Sequence, residues 1–309
     1  MAATVATKKV KMSRMARREA VVGFFFISPW IIGFLIFVLY ALGHAFYISM
    51  TDWNLLTTPN FIGLRNYIDL FRDPRFIQSV RVTLTFAGVS VPLNIAVGLS
   101  IALMLNQNIK PLGFWRTLYY FPSIISGIAV AMMWLWVFNP DFGIINYLLS
   151  IIGIRGPGWL ACPNWALPSI MLMGVWAAGG GMVIYLAGLQ GIPTELYESA
   201  SIDGANALSR FRRITIPMMT PVLFYNLIIG IIAALQTFVP AFIMTGGGPN
   251  NATLFYGLFL YENAFSFWRM GYAAAMGWLL FLFALVITII LFKTSSSWVF
   301  YASSDSDGR

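Results

Sequence analysis

Long stretches without charge dominate the chain. No Asp, Glu, Lys or Arg occurs between Glu19 and Asp52, Arg81 and Lys110, Arg116 and Asp141, Arg155 and Glu195, Arg213 and Glu262, or Arg269 and Lys293. A helix needs about 20 apolar residues to cross the hydrocarbon core, so each window can hold one span. Two windows are longer, and turn-forming stretches interrupt them, GPGWLACPNWALP at 156–168 and TGGGPNN at 245–251. The pattern predicts an all-α, polytopic membrane protein with helices near 21–47, 80–105, 117–138, 167–190, 218–241 and 272–292.

The polar segments between the windows carry their own patterns. Tyr67, Leu70 and Phe71 recur at helical spacing until Asp73-Pro74 breaks the run, which predicts a short amphipathic helix along the outer membrane face. A second apolar helical patch follows Asn139, and Trp159 and Trp165 beyond it are expected in the interfacial aromatic belt. Segment 195–217, ELYESASIDGANALSRFRRITIP, is different: acids and arginines crowd between two greasy spans. Thr194 is a candidate N-cap, and Glu195 and Glu198 suit the positive end of a helix reaching Ser201 or Ile202. Asp203-Gly204 then makes a turn. A second short helix is expected from Ala207 to Ile214, ending before Pro217 opens the fifth span.

Composition agrees with the pattern. The chain is 59% hydrophobic and 10% charged, against about 25% charged in a soluble domain. Cys162 is the single cysteine, so no internal disulfide forms. The net charge of +8 does not gather into one stripe with interleaved aromatics, which argues against a nucleic-acid partner. With six crossings, 13 of the 19 basic residues share one side; Arg65, Arg72, Arg75, Arg81, Arg155 and Arg269 lie on the other. The positive-inside rule therefore places both termini in the cytoplasm. Residues 1–20 form a basic tail. The apolar run behind it is too long for a signal peptide and reads as an uncleaved first span. The transmembrane domain covers 21–293 and a polar tail covers 294–309, whose last residues, SSDSDGR, are too polar to pack.

Material for catalysis is scarce. There is one histidine, no H-E-x-x-H, no carboxylate pair at depth and no G-x-x-x-x-G-K-[ST] run. Polar groups inside spans are costly and tend to face a cavity, which singles out Asn226, Gln236 and Thr237 in the fifth span. Trp176 with Gly179, Gly180 and Gly181 in the fourth offers an aromatic face beside small residues; Asn94 and His44 are lesser candidates. Segment 191–217 has two readings on its own residues. It is either a basic amphipathic loop resting on lipid headgroups, or a pair of short helices whose small-residue bend enters a groove on a partner.

The loop resembles the EAA loop of binding-protein-dependent ABC importer permeases. Glu198-Ser199-Ala200 stands for its Glu-Ala-Ala start and Gly204 for its glycine. Nine residues then separate Gly204 from Ile214-Thr215-Ile216-Pro217, the Ile-x-Leu-Pro end. Ser199 and Ile216 depart from the pattern. Asp203-Gly204-Ala205 with Phe211 is similar to the carbohydrate branch, as are residues 60–86, 114–126 and 245–276, which look like maltose-type and glycerol-phosphate-type permeases. The resemblance implies a type I importer permease fold in a bacterial or archaeal cytoplasmic membrane.

It also implies coupling to an ATPase through Glu198, Ala200, Asp203, Gly204, Ala205, Arg210 and Phe211, with Arg212 and Arg213 facing ATPase or lipid. A solute path through Trp176, Gly179, Gly180, Asn226, Gln236 and Thr237 would follow. The implied partners are a second, different permease, an ATPase dimer holding ATP and Mg²⁺, an external solute-binding protein, and a sugar. This chain itself would hold no cofactor. The absence of charge within the spans favours a neutral oligosaccharide. A permease for a non-sugar solute remains open, and so does an ion-coupled secondary transporter.

Overall fold

The computed structural model describes residues 13–107 and 110–300. Lys8, Lys9 and Lys11 of the basic tail and the terminal SSDSDGR lie outside the described residues. Helix α1 (Arg14–Ser49) loosens into a π turn at Phe34–Leu39, just after Pro29 and Gly33. A two-residue antiparallel pair, β1 (Thr51–Asp52) with β2 (Asn60–Phe61), leads into α2 (Arg65–Arg72). Span two, α3 (Pro74–Leu105), starts six residues earlier than the charge pattern predicts. Asp73 caps it by accepting from the Arg75 amide, and Pro74 sits in the first turn, where it lacks only a hydrogen bond that the turn would not make.

The third and fourth spans are not the single helices that hydropathy suggests. The third divides into α4 (Leu112–Ile124) and α5 (Gly127–Val137), bent by 98°. Ile125 and Ser126 are extended at the joint, and Pro122 has already removed a backbone donor from the preceding turn. After α6 (Ile144–Ile151), the fourth divides into α7 (Pro163–Trp176) and α8 (Gly179–Gln190), bent by 47°. Segment 191–217 opens with α9 (Thr194–Ile202). Helix α10 (207–235) follows, then a break, α11 (Val239–Met244), α12 (Tyr256–Tyr261) and α13 (Met270–Ser295). The fifth span thus ends as a helix at Leu235, ahead of the predicted 241. Among the described residues, four helices are long and apolar enough to span, and counting each bent pair once gives up to six.

Helix α3 is the central post, with α7, α8, α10 and α12 packed around it. Gly230 of α10 permits a close approach: a Cβ there would lie 3.0 Å from Val91. At one end, Leu99, Leu105, Leu189, Ile192 and Met219 pack together beside the loop 191–217; this is the loop end. The tail returns to the same end, where the Phe300 amide donates to the Thr220 hydroxyl at 2.8 Å and Trp298 meets Phe224. The start of the polar tail, residues 296–300, is therefore docked on the loop end.

The far end is tied by polar contacts. Asn66 donates to the Ser49 and Thr51 carbonyls, both at 2.9 Å, and Arg75 pairs with Glu262 at 2.7 Å. Trp159 also differs from expectation. It is buried and donates to Asn146 at 2.6 Å, instead of lying in an interfacial belt, while Trp165 stays exposed.

At the far end Gly271 lies directly beneath the Thr51 carbonyl, and any Cβ would overlap that backbone oxygen. Gly271→Val is expected to lower stability by about 1–3 kcal/mol, the usual range for overpacking. Gly88→Ala, where a Cβ meets nothing within 4 Å, is expected to be neutral. Thermal melting of both variants in the same detergent checks this.

Candidate functional site

Two regions hold the residues singled out by the sequence. The first is the loop. Helix α9 begins at Thr194 itself, with Pro193 at the cap position and no side-chain hydrogen bond, so Thr194 is not the N-cap. Backbone bonds from Asp203 to Ser199 and from Ala205 to Ala200 close the helix end. Between them Gly204 takes φ +75°, a left-handed conformation that glycine adopts without cost. Asn206 restarts the helix by accepting from the Ser209 amide at 2.8 Å.

The restarted helix does not stop before Pro217. It widens to a π turn at Phe211–Thr215, in which the Ile216 amide reaches back to the Phe211 carbonyl. The register change leaves Pro217 inside a continuous helix despite its missing donor.

One contact fixes the loop to the span. The Tyr197 and Thr215 hydroxyls bond at 2.9 Å, so α9 is tied to α10 as a unit. Arg210 donates to the Ser201 hydroxyl at 2.8 Å across the bend, and is turned back onto the loop. Glu198, Asp203, Arg212 and Arg213 are exposed and form no ion pair among the described residues; Ala200, Ala205 and Phe211 are half-buried. The loop also presents apolar tips that the charge pattern hides. Ile202 is 87% exposed and Leu208 61%.

The second region is a half-open cavity of about 450 Å³ between α3, α7, α8 and α10. Asn226 and Thr237 line it, together with Ser90, Asn94 and Tyr185. The amides of Asn94 and Asn226 donate to their own helices, to Ser90 at 2.8 Å and Val222 at 2.9 Å. Their carbonyl oxygens stay free as acceptors. The Ser90 hydroxyl and the Asn94 side-chain oxygen are buried without a partner. A buried orphan costs about 1–3 kcal/mol, so such a wall favours an occupant that donates hydrogen bonds. No Asp, Glu, Lys or Arg lines the cavity.

The other path candidates lie elsewhere. Trp176 packs edge-on against Trp134 at 6.1 Å. Gly179 lies against the Tyr119 carbonyl and Gly180 faces Ser123, so both serve the contact between α8 and α4. Gln236 is exposed beyond the end of α10, and His44 stacks between Tyr40 and Tyr47. Sequence reasoning missed Ser90 and Tyr185. A polar pair at i and i+4 within one span, Ser90 with Asn94, was the available signal for the first.

A family model described as the inner-membrane component of binding-protein-dependent transport systems matches residues 94–303. A probable ABC transporter permease of Bacillus subtilis, YesP, is 44% identical over 301 residues, covering 96% of this chain and 97% of that protein. The trehalose/maltose transport system permease MalF of Thermococcus litoralis is 36% identical over 283 residues, covering 91% and 96%. Among solved structures, a bacterial ABC transporter involved in import of the acidic polysaccharide alginate matches with a TM-score of 0.78. That match has 26% identity and covers 92% of this chain and 99% of the other.

Gly204 gives the loop a direct test. Valine at φ +75° should cost about 1–2 kcal/mol of local strain, whereas asparagine tolerates that region. Gly204→Val is expected to make 191–217 more sensitive to limited proteolysis than wild type. Gly204→Asn should digest like wild type.

Proposed function

The chain belongs to the family of inner-membrane components of binding-protein-dependent transport systems, and from that membership we propose that it forms half of the path of an ATP-driven sugar importer. Members of this family are transporter permeases, not enzymes. The observation that carries the sugar reading is the cavity. Its free acceptors, Ser90, Asn94 and Asn226, suit a solute dense in hydroxyl donors, and its apolar walls, Phe86, Val91 and Ile229, suit the C–H faces of a sugar ring. The names of relatives that move trehalose or maltose, lactose and starch products support the class. The lack of any charged lining residue favours a neutral sugar over an acidic one such as alginate.

Three further assignments support a multi-chain machine. Helix α1 has no buried residue before Gly33 or in its π turn, and only its last turns pack on α13. A second, different permease subunit would cover the rest. ATP and Mg²⁺ would sit on an ATPase dimer that receives the loop 191–217: Ile202 and Leu208 seat in its groove, Glu198 and Asp203 orient them, and Gly204 with Ala200 and Ala205 allows close backbone approach. The docking reading rests on the exposed apolar tips Ile202 and Leu208; Arg210 is held by Ser201, while exposed Arg212 and Arg213 suit ATPase or lipid alike. The two termini, the loop and residues 106–116 would face the cytoplasm, and a solute-binding protein would deliver sugar to the far end.

The test combines assembly with transport. Wild type expressed with its neighbouring genes should co-purify with an ATPase pair and a second permease. Gly204→Arg is expected to lose the ATPase. Asn94→Leu and Asn226→Leu should keep the whole assembly yet take up labelled neutral oligosaccharides about tenfold more slowly, the scale of a lost hydrogen bond to a buried partner. Uptake at the wild-type rate in both asparagine variants would sink the cavity assignment. Retention of the ATPase by Gly204→Arg would sink the docking assignment.

A further inference from the structure

Of the polar residues on the cavity wall, Tyr185 alone also belongs to the apolar cluster at the loop end. It is only 3% exposed. Side chains lean toward the N-terminal end of their helix, and α8 begins beside Ala177 and Ala178 of the cavity wall. The hydroxyl end of Tyr185 is therefore its cavity end. The ring lies in a slot left by two glycines. A Cβ on Gly98 of α3 would stand 2.9 Å from Cε2 of the ring, and one on Gly181 would stand 3.2 Å from it. That same point on Gly181 is 3.8 Å from Tyr185 Cζ, which carries the hydroxyl, and 3.9 Å from Asn226 Oδ1. The phenol thus stands near one of the free acceptors of the cavity.

A buried phenol normally finds a hydrogen-bond partner. The Tyr197 hydroxyl bonds Thr215, Tyr256 donates to the Met276 carbonyl and Tyr272 donates to Asp73. The Tyr185 hydroxyl bonds to none of the described residues, although its ring is buried against the cavity. At its other edge the ring belongs to the cluster of Leu186, Leu189 and Met219, against which Tyr197 of the loop packs. One side chain therefore carries an unused polar group on the solute side and a packed apolar surface on the loop side.

Resting on the sugar-importer reading above, we propose that Tyr185 is a positioning residue that links an occupied cavity to the loop 191–217. A hydroxyl of the bound sugar bonds the free phenol and holds the ring in its slot. The ring in turn sets the packing of the cluster on which Tyr197 rests. With the cavity empty the phenol has no such tie, and the cluster is free to take a second packing. Linkage makes the effect reciprocal: the factor by which sugar changes the loop's affinity for the ATPase is the factor by which the ATPase changes the cavity's affinity for sugar.

Assembled complexes in liposomes, given ATP on the loop side and labelled neutral oligosaccharide with the solute-binding protein on the other, yield two readouts, uptake rate and ATP hydrolysed per sugar moved. Tyr185→Phe keeps the ring and removes the hydroxyl, and should raise the ATP-to-sugar ratio about tenfold, the scale of one hydrogen bond to a buried group. Gly98→Ala keeps the hydroxyl but displaces the ring, and should raise the ratio as well. Asn226→Leu alters a cavity residue outside the loop-end cluster, and should slow uptake while leaving the ratio at the wild-type value. A wild-type ratio in Tyr185→Phe would overturn the proposal whether or not uptake slows, since Tyr185 would then be a sugar contact or packing alone. A wild-type ratio in Gly98→Ala would overturn it too, as would a raised ratio in Asn226→Leu, which would make the effect common to the whole wall. Failure of the sugar reading itself looks different: the wild-type complex would take up no oligosaccharide and hydrolyse ATP at the same rate with or without it, and the inference would fall with that reading.

Discussion

A backbone amide or carbonyl without a partner is costly where water is absent, and this constraint decides where the spans are allowed to break. Irregular backbone at membrane depth survives only when it is buried in protein or borders a cavity. Two of the breaks here obey that rule. Ala177 and Ala178, between α7 and α8, line the half-open cavity, and so does Thr237 just after α10. The joint between α4 and α5 is different: Gly180 of α8 approaches Ser123 closely, but Ile124 and Ser126 are exposed on this chain. Of the polar groups that line the cavity, Thr237 comes from an unwound segment, whereas Ser90, Asn94, Tyr185 and Asn226 project from intact helices.

The loop and the cavity are joined by continuous packing. Tyr197 of α9 is hydroxyl-bonded to Thr215, and its ring packs with Ile214, Leu189 and Met219 in the cluster at the loop end. Tyr185 belongs to that same cluster and also to the cavity wall, where its ring fills the space left by Gly98 and Gly181. A shift of α9 has a packed route to the floor of the cavity. Close-packed interiors transmit such displacements because they compress little. An ATPase that pulled on the loop would therefore act on the wall through side chains already in contact.

Much of this was legible in the chain. Charge-free windows coincide with the four unbroken candidate spans and the two bent pairs, since a bilayer tolerates few ions, and Gly204 was legible because a left-handed turn selects glycine. The bends were not. Pro122 and Pro168 both lie within helices, but only the first precedes a sharp break, so proline alone does not set the angle. The π turn at Phe211–Thr215 was hidden as well, because Pro217 argues for a helix end unless the register changes upstream. Within the cavity, Asn226 and Thr237 stood out as polar residues in an apolar run. Trp176, Gly179 and Gly180 carried the same kind of signal and turned out to pack helix on helix. Small residues and aromatics serve both purposes, and only the packing partners distinguish them.

The central claim is that the loop 191–217 delivers the work of a separate ATPase to a sugar-binding cavity. The most direct measurement is site-specific cross-linking at Ile202, the most exposed large apolar residue of the loop at 87%. In a Cys162→Ser background, Ile202→Cys should cross-link to the ATPase subunit of the assembled complex, with a yield that changes when ATP is added. An Ile202→Cys that reacts with lipid-phase probes, and never with the ATPase, would contradict the account.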